Sequence, residues 1–135
     1  MIRLFIADVS GLDIDACLAS VSPQRREKTL RLKNDDDKRR SLGVELLLEK
    51  AAGRSDYALT ENGKPFFPDG GAYFSLSHCG KYAVCAVSGV PVGADIELAR
   101  DNALRLAERF FMPDEAALVE RSPTPEAEFC RLWTL

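Results

Sequence analysis

The chain has 135 residues, 46% apolar and 29% charged, a balance expected of a soluble globular domain or of two small half-domains sharing a core. No apolar run is long enough to span a bilayer, and a net charge of −3 argues against a general nucleic-acid binder. Four cysteines without a C-x-x-C pair, and one histidine, His78, argue against a zinc site and for buried free thiols in a reducing cytoplasm.

In chain order, IRLFIAD (2–8) predicts a strand. Asp8 interrupts its apolar run and no cleavage site follows, so it does not read as a secretion signal. SPQRREKTLRL predicts a helix with Ser22 as N-cap and Pro23 in its first position. DDDKRRSLGVELLLEKAAG predicts the next helix, opened by aspartates and stopped by Gly53, with Leu42, Leu46, Leu47 and Lys50 along its core-facing stripe. LTENGKPFFPDGG predicts a loop with a turn at Asn62-Gly63. AYFSLSH and YAVCAVSG predict strands joined as a hairpin by the short CGK connection, and VPVGADIEL predicts a third strand. NALRLAERFF, PDEAALVERS and TPEAEFCRLWTL predict helices, the last capped by Thr124. Cys17 and Cys130 fall in helical patterns and Cys85 in a strand. Strands cluster mid-chain rather than alternating with helices, so the fold class expected is α+β.

Residues 25–40, RREKTLRLKNDDDKRR, carry eight positive charges against four negative. This reads either as a local anion site or as a solvated helix face. In a strand, Asp95 and Glu97 of VGADIE would project together, their Cα atoms roughly 6.5–7 Å apart, with Val92, Ala94 and Ile96 turned into a core and Gly93 leaving room on the acidic face. Such a pair repels itself unless compensated. Mg²⁺ suits it, taking carboxylate oxygens together with substrate phosphates; a solvated strand edge is the plainer reading. In FSLSHCG, His78 and Ser77 end a strand beside the turn glycine Gly80, a place for phosphate oxygens or simply a structural turn. Lys64 follows the NG turn and precedes Pro65, where it can meet a phosphate as a point charge.

Taken in order, SPQRREK, KRRSLG, GKP, FSLSHCG, VGADIE, ERFFMPDE and FCRLW resemble the 4′-phosphopantetheinyl transferase family in its larger, two-halves form. The resemblance implies a fold of two pseudo-symmetric α+β halves, here an N-terminal half over 1–90 and the start of an incomplete C-terminal half over 91–135. It implies transfer of the phosphopantetheine arm of coenzyme A to a serine of an acyl or peptidyl carrier protein, releasing adenosine 3′,5′-bisphosphate, in the cytoplasm and without nucleic acid or membrane. Arg25, Lys28 and Arg39 would bind coenzyme A phosphates, the register leaving Arg40 as an alternative to Arg39. Gly63, Lys64 and Pro65 would form part of the nucleotide pocket. Ser77, His78, Cys79 and Gly80 would line the phosphate path. Asp95 and Glu97 would hold Mg²⁺, and with His78 make up the catalytic set. The family's third motif continues past its tryptophan to a Lys-Glu pair, whereas this chain stops at Trp133, Thr134 and Leu135. The expectation is therefore weaker coenzyme and metal binding than in a full-length member, an apolar surface on the second half, and little or no transfer by this chain alone. The alternative is a non-catalytic coenzyme A or carrier-protein binding module.

Overall fold

The computed structural model describes residues 1–134; Leu135, the last residue of the closing WTL, lies outside the described residues. Two units can be distinguished, Met1–Ile96 and Glu97–Leu135. In the first, strand β1 (Ile2–Asp8) leads through helices α1 (Ile14–Ser20) and α2 (Pro23–Leu30) to the long helix α3 (Asp35–Ala52). A small hairpin follows, β2 (Ala58–Leu59) with β3 (Pro65–Phe66), then a larger one, β4 (Tyr73–Cys79) with β5 (Tyr82–Ser88). The strands β1, β5 and β4 form an antiparallel sheet in that order. Its hairpin turns on Gly80-Lys81, where Gly80 has φ 57°. That left-handed value at the first central position is what a type II′ turn requires. Mixed α and β structure, with the strands grouped, agrees with the composition of the segments.

The helix starts follow local chemistry. The Ser22 hydroxyl accepts the Arg25 N–H at 3.2 Å, with Pro23 opening α2. The Asn34 side chain accepts the Asp36 N–H at 2.7 Å at the head of α3, and Gly53 closes that helix at φ 72°. The buried face of α3 is broader than the leucine stripe. Leu42, Val44, Leu47, Leu48 and Ala51 are buried, Leu46 is half-buried and Lys50 is exposed. The reason is that α3 packs on β5 and is flanked by α1 and α2, so more than one side of it is covered. Its partners in the core include Val9, Phe67, Phe74, Ala83, Cys85 and Val87. Burial pushes the Cys85 thiol up to about 11, as expected of an inert core residue.

Gly43 is where α3 comes closest to the chain after β1. A Cβ built there would lie 2.3 Å from Val9 Cγ1. Gly43→Ala is therefore expected to cost about 1–3 kcal/mol through overpacking, despite the better helix propensity of alanine. Urea denaturation of both chains checks this; equal midpoints would mean that Val9 moves aside freely.

Two expectations are corrected. The LTENGKPFFPDGG segment, 59–71, is not all loop: β2 and β3 pair around a turn in which Thr60 N–H bonds Lys64 O at 2.9 Å and Gly63 N–H bonds Thr60 O at 2.8 Å. Conversely, residues 92–97 do not form the expected third strand. The Ala94 N–H goes to Ser75 Oγ at 3.0 Å and the Ile96 N–H to Ser77 Oγ at 3.2 Å. Two serine hydroxyls of β4 thus satisfy this backbone, and a strand ladder is not needed. The alternation holds only as far as Ile96, with Gly93 and Asp95 exposed and Val92, Ala94 and Ile96 half-buried; Glu97 is half-buried too and does not share the exposure of Asp95.

The second unit contains α4 (Ala103–Phe110), α5 (Pro113–Arg121) and α6 (Pro125–Trp133), packed around Ala103, Ala107, Val119 and Phe129. Phe129 stacks on Phe111 at 5.1 Å and on Trp133 at 5.4 Å between ring centres. Thr124 occupies the cap position of α6, but its side chain makes no capping bond. Leu104, Phe110, Met112, Leu118 and Trp133 are exposed. No helix among the described residues is long and apolar enough to cross a membrane.

Candidate functional site

A cavity of about 210 Å³ lies within the first unit, lined by Gln24, Arg25 and Lys28 of α2, Val44 of α3, Tyr57, Leu59, Gly63 and Pro65 of the small hairpin, and Leu76 and His78 of β4. Ser22 and Pro23 fix the start of α2, which sets Arg25 and Lys28 one turn further along. The turn at Gly63, with φ 78°, brings the hairpin back toward the same opening.

The electrostatics rest on a buried pair. Arg25 is 7% exposed and Glu45 of α3 only 1%. Arg25 Nε donates to Glu45 Oε2 at 3.1 Å, and Arg25 Nη2 to Tyr57 OH at 2.8 Å. Glu45 also accepts the Ser22 N–H at 2.7 Å, the Ser22 hydroxyl at 3.1 Å and the Tyr57 hydroxyl at 3.2 Å. Arg25 lines the cavity, but most of its hydrogen-bonding capacity ties α2, α3 and Tyr57 together.

The basic stretch resolves into two kinds of residue. Lys38, Arg39 and Arg40 pair with Asp35, Asp36 and Asp37 one turn earlier on α3, and Arg31 pairs with Glu27. These are helix-surface pairs of small energetic weight. Lys28 is exposed at the cavity and makes no ion pair among the described residues. Arg39 turns away, donating to Leu12 O at 3.1 Å and to Asp36 at 3.2 Å. Arg40 donates to Gly80 O beyond the end of β4 and acts electrostatically on His78. Of the two arginines left open by the register, Arg40 is therefore the one whose charge acts on the histidine.

His78 is held below the ordinary histidine value, first by desolvation and then by the positive charges of Arg40, Lys28 and Arg25. Its neutral form is favoured in the folded chain, and this contribution to stability is present above about 6.5 and is lost as pH falls through the folded value. Because it is the single histidine, one imidazole signal reports the site. An NMR titration should give a pKa below 6.5, and saturating pyrophosphate should raise it by offsetting the cations. A pKa unmoved by the anion would remove His78 from the anion's surroundings.

Lys64 is placed elsewhere. Its neighbours Gly63 and Pro65 border the basic cavity, whereas Lys64, again with Pro65, lines a larger one of about 400 Å³ that includes Phe66, Phe67, Tyr73, Pro91 and Val92. That larger cavity is chiefly aromatic and aliphatic; for an anion the smaller one, with its cations, is the better fit. Ser77 donates to Asp95 Oδ1 at 2.6 Å and accepts the Ile96 N–H, so it positions the acidic segment rather than facing the cavity. Cys79 closes β4 opposite Tyr82.

The two acids are held differently. Asp95, in the first unit, is exposed and oriented by Ser77. Glu97, in the second, accepts the Leu98 N–H at 2.9 Å and Arg100 Nη2 at 2.9 Å. Each carboxylate is by itself a hard oxygen donor of the kind that Mg²⁺ takes. No cluster of three or more histidine, cysteine or acidic side chains occurs among the described residues. Sequence reading missed Glu45, Tyr57 and Ser75. Only Glu45 left a signal, an acid inside the apolar run LGVELLL.

The fold and site thus define an α+β protein with a small basic cavity at the junction of a helix, a hairpin and a strand end. Residues 91–135 match the family model of the 4′-phosphopantetheinyl transferase superfamily. The chain is 33% identical over 138 residues to a 4′-phosphopantetheinyl transferase of Bacillus subtilis, covering 94% of this chain and 62% of that protein. It is 32% identical over 129 residues to the 4′-phosphopantetheinyl transferase Sfp of Bacillus subtilis (strain 168), covering 87% and 58%. To the 4′-phosphopantetheinyl transferase gsp of Aneurinibacillus migulanus it is 32% identical over 127 residues, covering 87% and 53%. The chain is thus similar to 4′-phosphopantetheinyl transferases over most of its own length, and it spans little more than half the length of these curated relatives.

Proposed function

We propose that this chain carries the coenzyme-binding part of an enzyme that moves the phosphopantetheine arm of coenzyme A onto a serine of an acyl or peptidyl carrier protein in the cytoplasm. The observation that carries this reading is the convergence of Lys28, His78 and the Gly63-Pro65 turn on one cavity, in a chain related to named phosphopantetheinyl transferases over most of its length. The family's two-halves architecture, with 1–90 as one half and 91–135 as the beginning of the other, belongs to the same proposal.

In this reading the diphosphate and the 3′-phosphate of coenzyme A meet Lys28, with Arg40 rather than Arg39 adding charge near Gly80. Arg25 shapes the cavity, its own charge balanced by Glu45. Neutral His78 offers an N–H to a phosphate oxygen. Gly63 and Pro65 border the nucleotide; Lys64 reaches it only by turning from its present cavity. Asp95, oriented by Ser77, and Glu97 would hold Mg²⁺. Bound there, that ion would neutralise the diphosphate and stabilise the charge that develops on the leaving group. The carrier serine oxygen forms a bond to the phosphorus nearest pantetheine. The bond from that phosphorus to the bridging oxygen breaks, adenosine 3′,5′-bisphosphate leaves with the electron pair, and the serine proton passes to a base.

A second reading, a non-catalytic coenzyme A or carrier-protein module, is favoured by the internal bonds of both acids. One experiment separates the two. The chain is incubated with an apo carrier protein, coenzyme A and Mg²⁺, and the carrier is weighed by mass spectrometry. A gain of one phosphopantetheine supports transfer. Coenzyme binding without any gain supports the module. Neither binding nor transfer rejects both.

A further inference from the structure

The buried pair beside the small cavity bears on any anion that enters it. Arg25 and Lys28 lie one turn apart on α2 and line the same opening, but their charges are not equally available. Arg25 Nε donates to Glu45 Oε2 at 3.1 Å and Nη2 to Tyr57 OH at 2.8 Å. The side of the guanidinium that offers two parallel N–H groups, the geometry that suits phosphate, is therefore taken by protein partners. No buried side-chain nitrogen among the described residues lacks a partner, so the remaining Nη1 reaches solvent. Glu45 is 1% exposed, and a carboxylate held in so dry a place offsets a neighbouring cation more strongly than one at the surface. Arg40 is paired with Asp37, and His78 is favoured in its neutral form. Lys28 is exposed and makes no ion pair among the described residues. Its charge is the one left for a ligand.

We propose that Glu45 is a specificity-determining residue for this cavity: its carboxylate withholds Arg25 from the ligand, so the cavity discriminates only weakly between a phosphate and a more highly charged diphosphate. The inference deepens the coenzyme-binding reading and rests on it for the nature of the anion. Two uncompensated cations would attract a ligand in proportion to its charge and favour the diphosphate steeply. With Arg25 offset, each further negative charge on the ligand meets Lys28 together with the carboxylate of Glu45 behind Arg25. The phosphate groups of the coenzyme then share one cation. Glu45 acts through Arg25 and does not touch the ligand. Its neighbours Leu42, Val44, Leu47 and Leu48 on α3 are buried apolar residues, so an acid at this position is a departure from the packing pattern of the helix.

Inorganic phosphate and pyrophosphate, titrated against the intact chain near neutral pH without divalent cations, test this. The ring signals of His78 report occupancy, because it is the single histidine and lines the cavity. The parent chain should prefer pyrophosphate by less than about tenfold. Glu45→Gln keeps the volume and removes the charge. It should tighten pyrophosphate about tenfold, the usual strength of one charge-assisted hydrogen bond, and phosphate by less. Lys28→Ala, a change at an exposed position, should abolish measurable binding of both anions. Adding Glu45→Gln to Lys28→Ala should restore binding, because Arg25 is then released; a purely structural role for Glu45 has no such effect. If Glu45→Gln weakens both anions by the same factor, Glu45 is a strut and the inference falls while the anion site stands. A Glu45→Gln chain that does not fold leaves the parent and Lys28→Ala to decide. A parent preference above about tenfold, or binding that survives Lys28→Ala, overturns the inference alone. A parent chain that binds neither anion overturns the inference and the coenzyme-binding reading together.

Discussion

Glu45→Ala should destabilise the first unit by about 3–5 kcal/mol, the usual cost of leaving one partner of a buried ion pair uncompensated. Glu45 is 1% exposed and receives bonds from Arg25, Ser22 and Tyr57. Its removal strands the Arg25 guanidinium in a site with 7% exposure and frees the Ser22 N–H that opens α2. Urea denaturation measures the effect. The double variant Arg25→Met with Glu45→Leu, which removes both charges and keeps the volume, should recover much of the loss. If Glu45→Ala shifts stability by under about 1 kcal/mol, the pair is a bystander. The consequence reaches function as well, because this carboxylate holds α2, and so Lys28, against the cavity.

The other large effect is expected at Asp95. Asp95→Asn keeps an oxygen to accept the Ser77 hydroxyl, so the local structure is retained. It removes the negative charge that a hard cation needs. Coenzyme A affinity, measured calorimetrically with and without Mg²⁺, separates the two roles. The unaltered chain should bind more tightly with Mg²⁺, and Asp95→Asn should abolish most of that gain, a loss on the order of 10–100-fold. Binding without Mg²⁺ should hardly change. A variant that keeps its full response to Mg²⁺ would leave Asp95 as a structural acceptor and take the ion from the proposal, while the anion site around Lys28 would stand.

Much of the chain was legible because its signals are local. Ser22-Pro23, the aspartates at 35–37 and Gly53 mark helix ends through bonds made within a turn. Gly80 marks the hairpin through a φ that other residues avoid. The ordered short motifs pointed to the same family that the comparisons return, and the candidates Arg25, Lys28, Gly63, Pro65 and His78 do line one cavity. Residues 92–97 misled because alternation in sequence reports which side is covered, not what satisfies the backbone; here two serine hydroxyls do so.

Sequence alone determined the order of most elements, the resemblance that the comparisons return and the chemistry on offer: cations, one imidazole, two neighbouring acids. Tertiary structure decided which charges are still available. Adjacent arginines on α3 point to different neighbours, Arg39 to Leu12 and Arg40 to Gly80, because a helix turns each successive side chain by about 100°. Arg25 is paired with Glu45, twenty residues away in the chain, and Lys64 lines a different cavity from Gly63, with Pro65 beside it bordering both. Such pairings depend on distances between elements far apart in sequence, which no local pattern encodes.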